Sequence, residues 1–191
     1  TIRDIFVYER ELMRTAYYAD KIPSYVKEHH EGTRKMVNFS DARQYVLALM
    51  REYNITDVCA YNANFDRNAL NTTQRWLTKS KYRYFFPRGT NFICIWNMAC
   101  TSILNTENYV QFALENGFVS EHDNIQTSAE IAYRYLTNEV DFAESHTGLE
   151  DVKIEIEIML AVLRSGMEYK DRIYSACWRT VQRKRKEVCG D

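Results

Sequence analysis

The sequence predicts an α/β layer architecture, and three observations carry that expectation. Short apolar runs of strand character alternate along the chain with segments of helical period. Hydrophobic residues make up 46% of the 191 residues and aromatics 14%. A chain of this size buries roughly 70% of the surface its unfolded form exposes, so there is material for a core. Only 6 Gly and 2 Pro occur, too few for a collagen, a disordered linker or a turn-dense small β fold.

Taken in order, Ile2–Tyr8 reads as a strand and Glu9–Tyr18 as a short helix that Ile22–Pro23 breaks. A polar connection runs from His29 to Lys35. Ser40–Asp41 is expected to cap a helix whose apolar positions, Tyr45, Val46, Leu49 and Met50, follow a helical period and which Asn54 ends. Asp57–Tyr61 is a short buried strand, Asn62–Ala63–Asn64 a polar turn, and Asp66–Thr78 the next helix. Tyr82–Phe86 and Phe92–Trp96 are further apolar runs, separated by Pro87–Arg88–Gly89. Helices follow at Met98–Leu104 and at Tyr109–Asn116, the second stopped by Gly117. Thr127 and Glu130 have the spacing of a capping box for a helix to about Leu136. The longest apolar-periodic helix is Leu149–Leu163, after the loop Asn138–Gly148.

Several classes drop out on composition. The 25 basic and 26 acidic residues nearly cancel, so global charge predicts neither nucleic-acid nor membrane binding. No apolar run reaches the length of a transmembrane helix, and charge interrupts the opening residues where a signal peptide would lie. Cys59, Cys94, Cys100, Cys177 and Cys189 are never spaced as C-x-x-C, which reads as reduced core thiols of a cytoplasmic protein. The four histidines, His29, His30, His122 and His146, form no zinc pattern with them. Residues 164–191 carry a net charge of +4 within the total of −1. The run Arg183–Lys186 could touch phosphates, and equally could be the solvated face of a terminal helix.

Two segments carry chemistry. In DVCAYNANFDRNAL (57–70) a strand enters an Asn-rich turn and an Asp opens a helix. Alone, Asp66 is a carboxylate at the positive end of a helix dipole, although strand ends are where α/β sheets hold ligands. In SHTGLED (145–151) His146 and Asp151 flank Gly148 where the long helix opens. Alone, that histidine is an exposed loop residue and that aspartate compensates a dipole.

Together, AYNANFD (60–66) and ESHTGLED (144–151) resemble the second and third motifs of the DEDDh 3′→5′ exonucleases, the DnaQ-like branch of the ribonuclease H-like superfamily. TAYYADKIP, YRYFFP and TSAEIAYRYLT are similar to phage-encoded members, and the resemblance runs to about Arg164. It implies a ribonuclease H-like mixed sheet flanked by helices, lacking its leading strands, in an exonuclease domain over 1–164. Residues 165–191 follow as a basic helical tail.

By position, Asp66 and Asp151 match metal-holding carboxylates and His146 the general base. Asn62 and Phe65 match turn positions that lie against the substrate strand. The implied cofactors are two Mg²⁺ or Mn²⁺ ions, hard cations that prefer carboxylate oxygens and can clamp both oxygens of a phosphodiester displacement. The implied partner is the 3′ end of single-stranded DNA or RNA, with no membrane, in the cytoplasm of a bacterial host if phage-encoded. Homodimer formation or polymerase association is a further expected partnership, and the tail could dimerise, bind DNA or pack back on the domain.

The chain departs from the family at one motif. The first motif is a D-x-E pair on the opening strand, and no D-x-E occurs here. Glu9/Glu11 and Glu155/Glu157 lie on expected helices and are poor substitutes. The expectation is a chain whose leading strands precede Thr1, inactive by itself. The alternative is a catalytically dead module of the same fold that binds nucleic acid or protein.

Overall fold

A computed structural model describes residues 5–13 and 19–190, without the side chains of Glu11 and Leu12. In chain order the elements are β1 (Ile5–Val7), α1 (Arg10–Met13), a 3-10 turn (Ala19–Lys21), α2 (Ile22–His30), β2 (Lys35–Val37) and α3 (Phe39–Glu52). Then come β3 (Asp57–Ala60), α4 (Ala63–Thr78), β4 (Asn91–Cys94), α5 (Ile95–Thr101), α6 (Glu107–Glu115), α7 (Ala129–Thr137), α8 (Gly148–Ser165) and α9 (Trp178–Cys189). The class is mixed α/β with helix in excess. Strands β1 and β2 pair in parallel, as do β3 and β4, in two two-stranded sheets. Parallel pairs need helical crossovers, which is why helices separate the partners in sequence. Among the described residues the only antiparallel pairing is an isolated bridge between Val119 and Ile125. No helix among them is long and apolar enough to cross a membrane.

Local chemistry moved several expected boundaries. Pro23 starts a helix instead of breaking one, because in the first turn its missing N–H has no partner to lose. The strand and helix expected over Ile2–Tyr8 and Glu9–Tyr18 are seen as β1 and α1, and residues 1–4 and 14–18 lie outside the described residues. Asn38, not Ser40–Asp41, caps α3, its side chain accepting from the Asp41 N–H at 2.8 Å. Likewise Ser128 caps α7, accepting from the Ile131 N–H at 3.3 Å, while the Thr127 hydroxyl accepts from the Trp96 indole at 2.9 Å. The polar turn expected at Asn62–Asn64 is mostly the opening of α4.

The chain forms two compact units: Thr1–Thr56 with Leu70–Thr90, and Asp57–Ala69 with Asn91–Asp191. In the first, Phe6, Phe39, Met50 and Phe85 are buried, and the Phe39 and Phe85 rings meet edge-on at 5.3 Å. In the second, α8 buries Ile154, Ile158 and Val162, one residue per turn, against α5 and α7. The segment after Arg164 belongs to this unit. Its Cys177 and Val181 are fully buried, and α9 packs on α5 and α6. Gln182 holds both the N–H and the C=O of Ile125, at 2.9 and 3.0 Å. All five cysteines are free. Cys94, Cys100 and Cys177 are buried while Cys59 and Cys189 are exposed, and burial raises the Cys94 and Cys100 thiols, keeping them protonated and unreactive.

Candidate active site

The second unit brings the opening turns of α4 and α8 to the end of β3. The β3–α4 turn is pinned from below. The Trp96 N–H donates to the Tyr61 carbonyl at 2.8 Å, and the buried Tyr61 hydroxyl donates to the Thr127 carbonyl at 2.8 Å. Asn62 and Phe65 stand exposed at the turn, the Phe65 ring at 68% of its full accessibility, so solvent or a ligand can reach both. Asp66 follows in the first turn of α4. It is open to solvent on one side, yet the protein around it raises its carboxyl above the ordinary range by desolvation. Its own backbone N–H offsets only part of that.

Asp151 sits in the first turn of α8, where its N–H closes on the Thr147 carbonyl at 2.9 Å. Glu155 lies one turn further on the same helical face. Burial pushes the Glu155 carboxyl up to about 7. A hydrogen bond from the Tyr61 N–H opposes the shift, and the charges of Asp66, Asp151 and Glu144 add to it. Glu144 completes the group. Its carboxyl is raised first by burial and then by Asp151, with which it shares a hydrogen bond; His146 pulls the other way. Four carboxylates from three segments therefore lie near enough for Asp66, Asp151 and Glu144 to raise Glu155, and for Asp151 to raise Glu144.

His146 stands beside them. Its Nδ1 lies 3.6 Å from Glu144 Oε2, and its side chain is 44% exposed. Its backbone is left-handed, with φ at 52°. For a non-glycine residue that conformation costs about 1–3 kcal/mol and recurs where geometry serves function. Glu130, Glu144 and His146 also each offer one ligand atom within 4.8 Å of the others, although Glu130 is ion-paired to Arg134.

The structure thus gathers Asp66, Asp151 and His146 in one unit and leaves Asn62 and Phe65 exposed at its turn. It adds Glu144 and Glu155, which the sequence reading passed over. As an E-x-E pair with Glu157, Glu155 lies on a helix and makes a poor substitute for the first motif, and Glu157 is exposed. The informative spacing was Asp151 to Glu155, four residues, which puts both on one face. Glu144 stood inside the ESHTGLED phrase and carried a signal only as a third acid near the histidine. The donors are carboxylate oxygens with one imidazole, a set suited to hard or borderline divalent cations. No protein-family profile, curated protein or solved structure gives a significant match to the chain.

Proposed function

We propose that this chain carries the site of a metal-dependent 3′→5′ exonuclease of ribonuclease H-like type, which hydrolyses phosphodiester bonds from nucleic-acid 3′ ends and releases nucleoside 5′-monophosphates. The observation that carries the reading is the convergence of Asp66, Asp151, Glu155 and Glu144, with Glu155 raised to about 7 by burial and by the other three. Like charges held near one another and partly out of water are costly unless a cation neutralises them. Asp66, Asp151 and Glu155 would hold Mg²⁺ or Mn²⁺. When bound, such ions polarise the phosphate and acidify a water ligand.

The chain's own groups do the rest. Asn62 and Phe65 bear on the terminal nucleotide at the exposed turn. His146, its Nδ1 turned to Glu144, takes the proton of the attacking water on its other ring nitrogen. Water oxygen bonds to phosphorus and the bond to the 3′ oxygen breaks. That oxygen leaves with the bonding pair and takes a proton from solvent water to become the 3′ hydroxyl, while His146 later releases its proton to solvent. The left-handed backbone at His146, two residues before α8 begins, sets where the imidazole stands.

A second reading rests on the absence of any D-x-E pair from the 191 residues: a module that keeps the fold and binds without cutting. Two measurements separate them. Mn²⁺ binding to the chain, followed by the paramagnetic signal of the free ion, is expected and is lost in Asp66→Asn and Asp151→Asn. A 5′-labelled single strand shortened from its 3′ end in Mn²⁺, once a strand bearing D-x-E is supplied in cis, supports the enzyme. Mn²⁺ binding that both variants retain would overturn the assignment of the metal ligands.

A further inference from the structure

Between Arg67 and Thr106 the chain carries six basic residues and no acidic one. Five of them, Arg75, Lys79, Lys81, Arg83 and Arg88, fall between the last turns of α4 and the loop before β4, all within the first unit. No ion pair among the described residues involves any of the five. The Arg75 Nε is buried without a hydrogen-bond partner among them.

Aromatic rings are interleaved with these cations. Tyr82 is 77% exposed, Tyr84 52% and Trp76 41%, whereas Phe85, one residue on, is 4% exposed. The same short run therefore reaches the core and still leaves two large rings in water. Each exposed ring has a cation against it: Lys79 Nζ lies 4.3 Å from the Trp76 ring centre, Arg75 Cζ 4.7 Å from Tyr84, and Lys81 Nζ 5.2 Å from Tyr82. The loop that presents them is tied down. The Phe85 N–H donates to Asn71 Oδ1 at 2.9 Å, Arg43 Nε donates to the Phe85 carbonyl at 2.8 Å, and Phe85 packs on Phe39. Rings held in place lose little freedom when they bind.

We propose that Arg75–Arg88 is a docking surface for single-stranded nucleic acid. Trp76, Tyr82 and Tyr84 stack on unpaired bases, and the adjoining Lys79, Lys81 and Arg75 meet the phosphates between them. Single strands offer base faces and phosphates at alternating positions, which matches ring-and-cation pairs. A duplex offers the phosphates but keeps its base faces stacked inside, so it gives the rings nothing to do. The inference is independent of the hydrolytic reading, because none of the clustered carboxylates lies in this unit and binding needs no metal.

The test is fluorescence anisotropy in chelator, with labelled oligo-dT and oligo-rU, a duplex of equal length, and anionic vesicles as competitor. Binding of one or both single strands, tighter than the duplex, is expected, and the tighter of the two names the strand. Tyr82→Ala and Tyr84→Ala should each weaken it by about ten-fold, while Tyr82→Phe keeps wild-type affinity. Lys79→Gln with Lys81→Gln should lower the salt dependence of log K by roughly 1.4, two phosphate contacts on a single strand. Tyr82 is so exposed that its alanine variant should melt as wild type does, which checks the fold. Failure to bind either strand, equal binding of duplex, displacement by vesicles, or unchanged affinity in both tyrosine variants would each overturn the proposal.

Discussion

The two units place charge in opposite ways. In the second, Asp66, Glu144, Asp151 and Glu155 lie near one another partly out of water, and a loop histidine and the backbone N–H groups of Tyr61 and Asp66 oppose the resulting shifts. In the first, Lys79, Lys81, Arg83 and Arg88 are exposed and Arg75 is half-buried, three of the five lie against aromatic rings, and no carboxylate among the described residues pairs with them. Elsewhere the chain pairs its charges in the ordinary way: Arg34 with Glu28, Lys153 with Glu150, Lys184 with Glu187. The lesson lies in the exceptions. On the two proposals above, bound cations relieve the acid cluster and a bound anion meets the basic aromatic segment. Stability and function should therefore respond in opposite directions when the acid cluster is altered.

The largest effects should come from removing a ligand or the base. In a form competent for hydrolysis, Asp66→Asn and Asp151→Asn should each lower the single-turnover rate by roughly 10³-fold or more, the several kcal/mol a metal-held charge contributes. His146→Ala should lower it about 10²–10⁴-fold, the range for a general base. His146→Ala should leave Mn²⁺ binding intact, whereas both aspartate variants lose it. If all three variants lose binding equally, His146 is a ligand and its place beside Glu144 must be reinterpreted.

Next is the pH dependence of the metal-free chain. Glu155 titrates near 7 in the folded state and near its ordinary value when unfolded, and Asp66 and Glu144 are raised in the same sense. A raised acid means that the folded state binds more protons than the unfolded one between the two values. Stability is then highest below the unfolded value and falls as pH climbs toward 7. Thermal unfolding in chelator should give a higher Tm at pH 5 than at pH 8. Added Mn²⁺ should reverse that order, since it binds the ionised cluster and stabilises by about 2.7 kcal/mol at a hundred times its Kd. A Tm flat between pH 5 and 8 in chelator would remove the electrostatic half of the comparison.

How much of this was legible in the sequence depends on the range of the interaction. Period and punctuation gave the class and most helices, because α3, α6 and α8 write their buried stripes into local spacing. Caps were misplaced by one or two residues at Asn38 and Ser128, since several adjacent polar side chains could each accept the same N–H and only the fold chooses. The chemistry of Asp66, His146 and Asp151 was legible through motif order. Glu155 was not, because its meaning is a long-range encounter with Tyr61 and Asp66, and Glu144 was not, because the fold decides that it meets Asp151 and Glu130. Nor could the sequence sort YRYFFP into a buried Phe85 and exposed tyrosines. Phe39 and Asn71, distant in sequence, decide that.

A smaller effect isolates Glu155. Glu155→Gln keeps the shape and the acceptor for the Tyr61 N–H but removes one buried charge. At pH 8 in chelator it should stabilise the chain by about 1 kcal/mol or more, and at pH 5, where Glu155 is already protonated, by close to nothing. The same variant should bind Mn²⁺ more weakly. Gain of stability and loss of metal in one substitution is what the acid cluster predicts and what an ordinary surface glutamate would not show.

The smallest effect concerns the backbone at His146. Its φ of 52° lies in the region where an L side chain is strained. Glycine adopts it freely, so His146→Gly relieves the strain, while the added freedom of the unfolded chain opposes the gain. The net should be a stability unchanged or raised by up to about 1 kcal/mol, against a hydrolytic rate as low as that of His146→Ala. Denaturant unfolding of both variants separates the two contributions, since alanine keeps the strain and loses the imidazole. If His146→Gly is clearly less stable than His146→Ala, the left-handed turn is held by the imidazole's contacts, and the conformation cannot be counted as strain kept for catalysis.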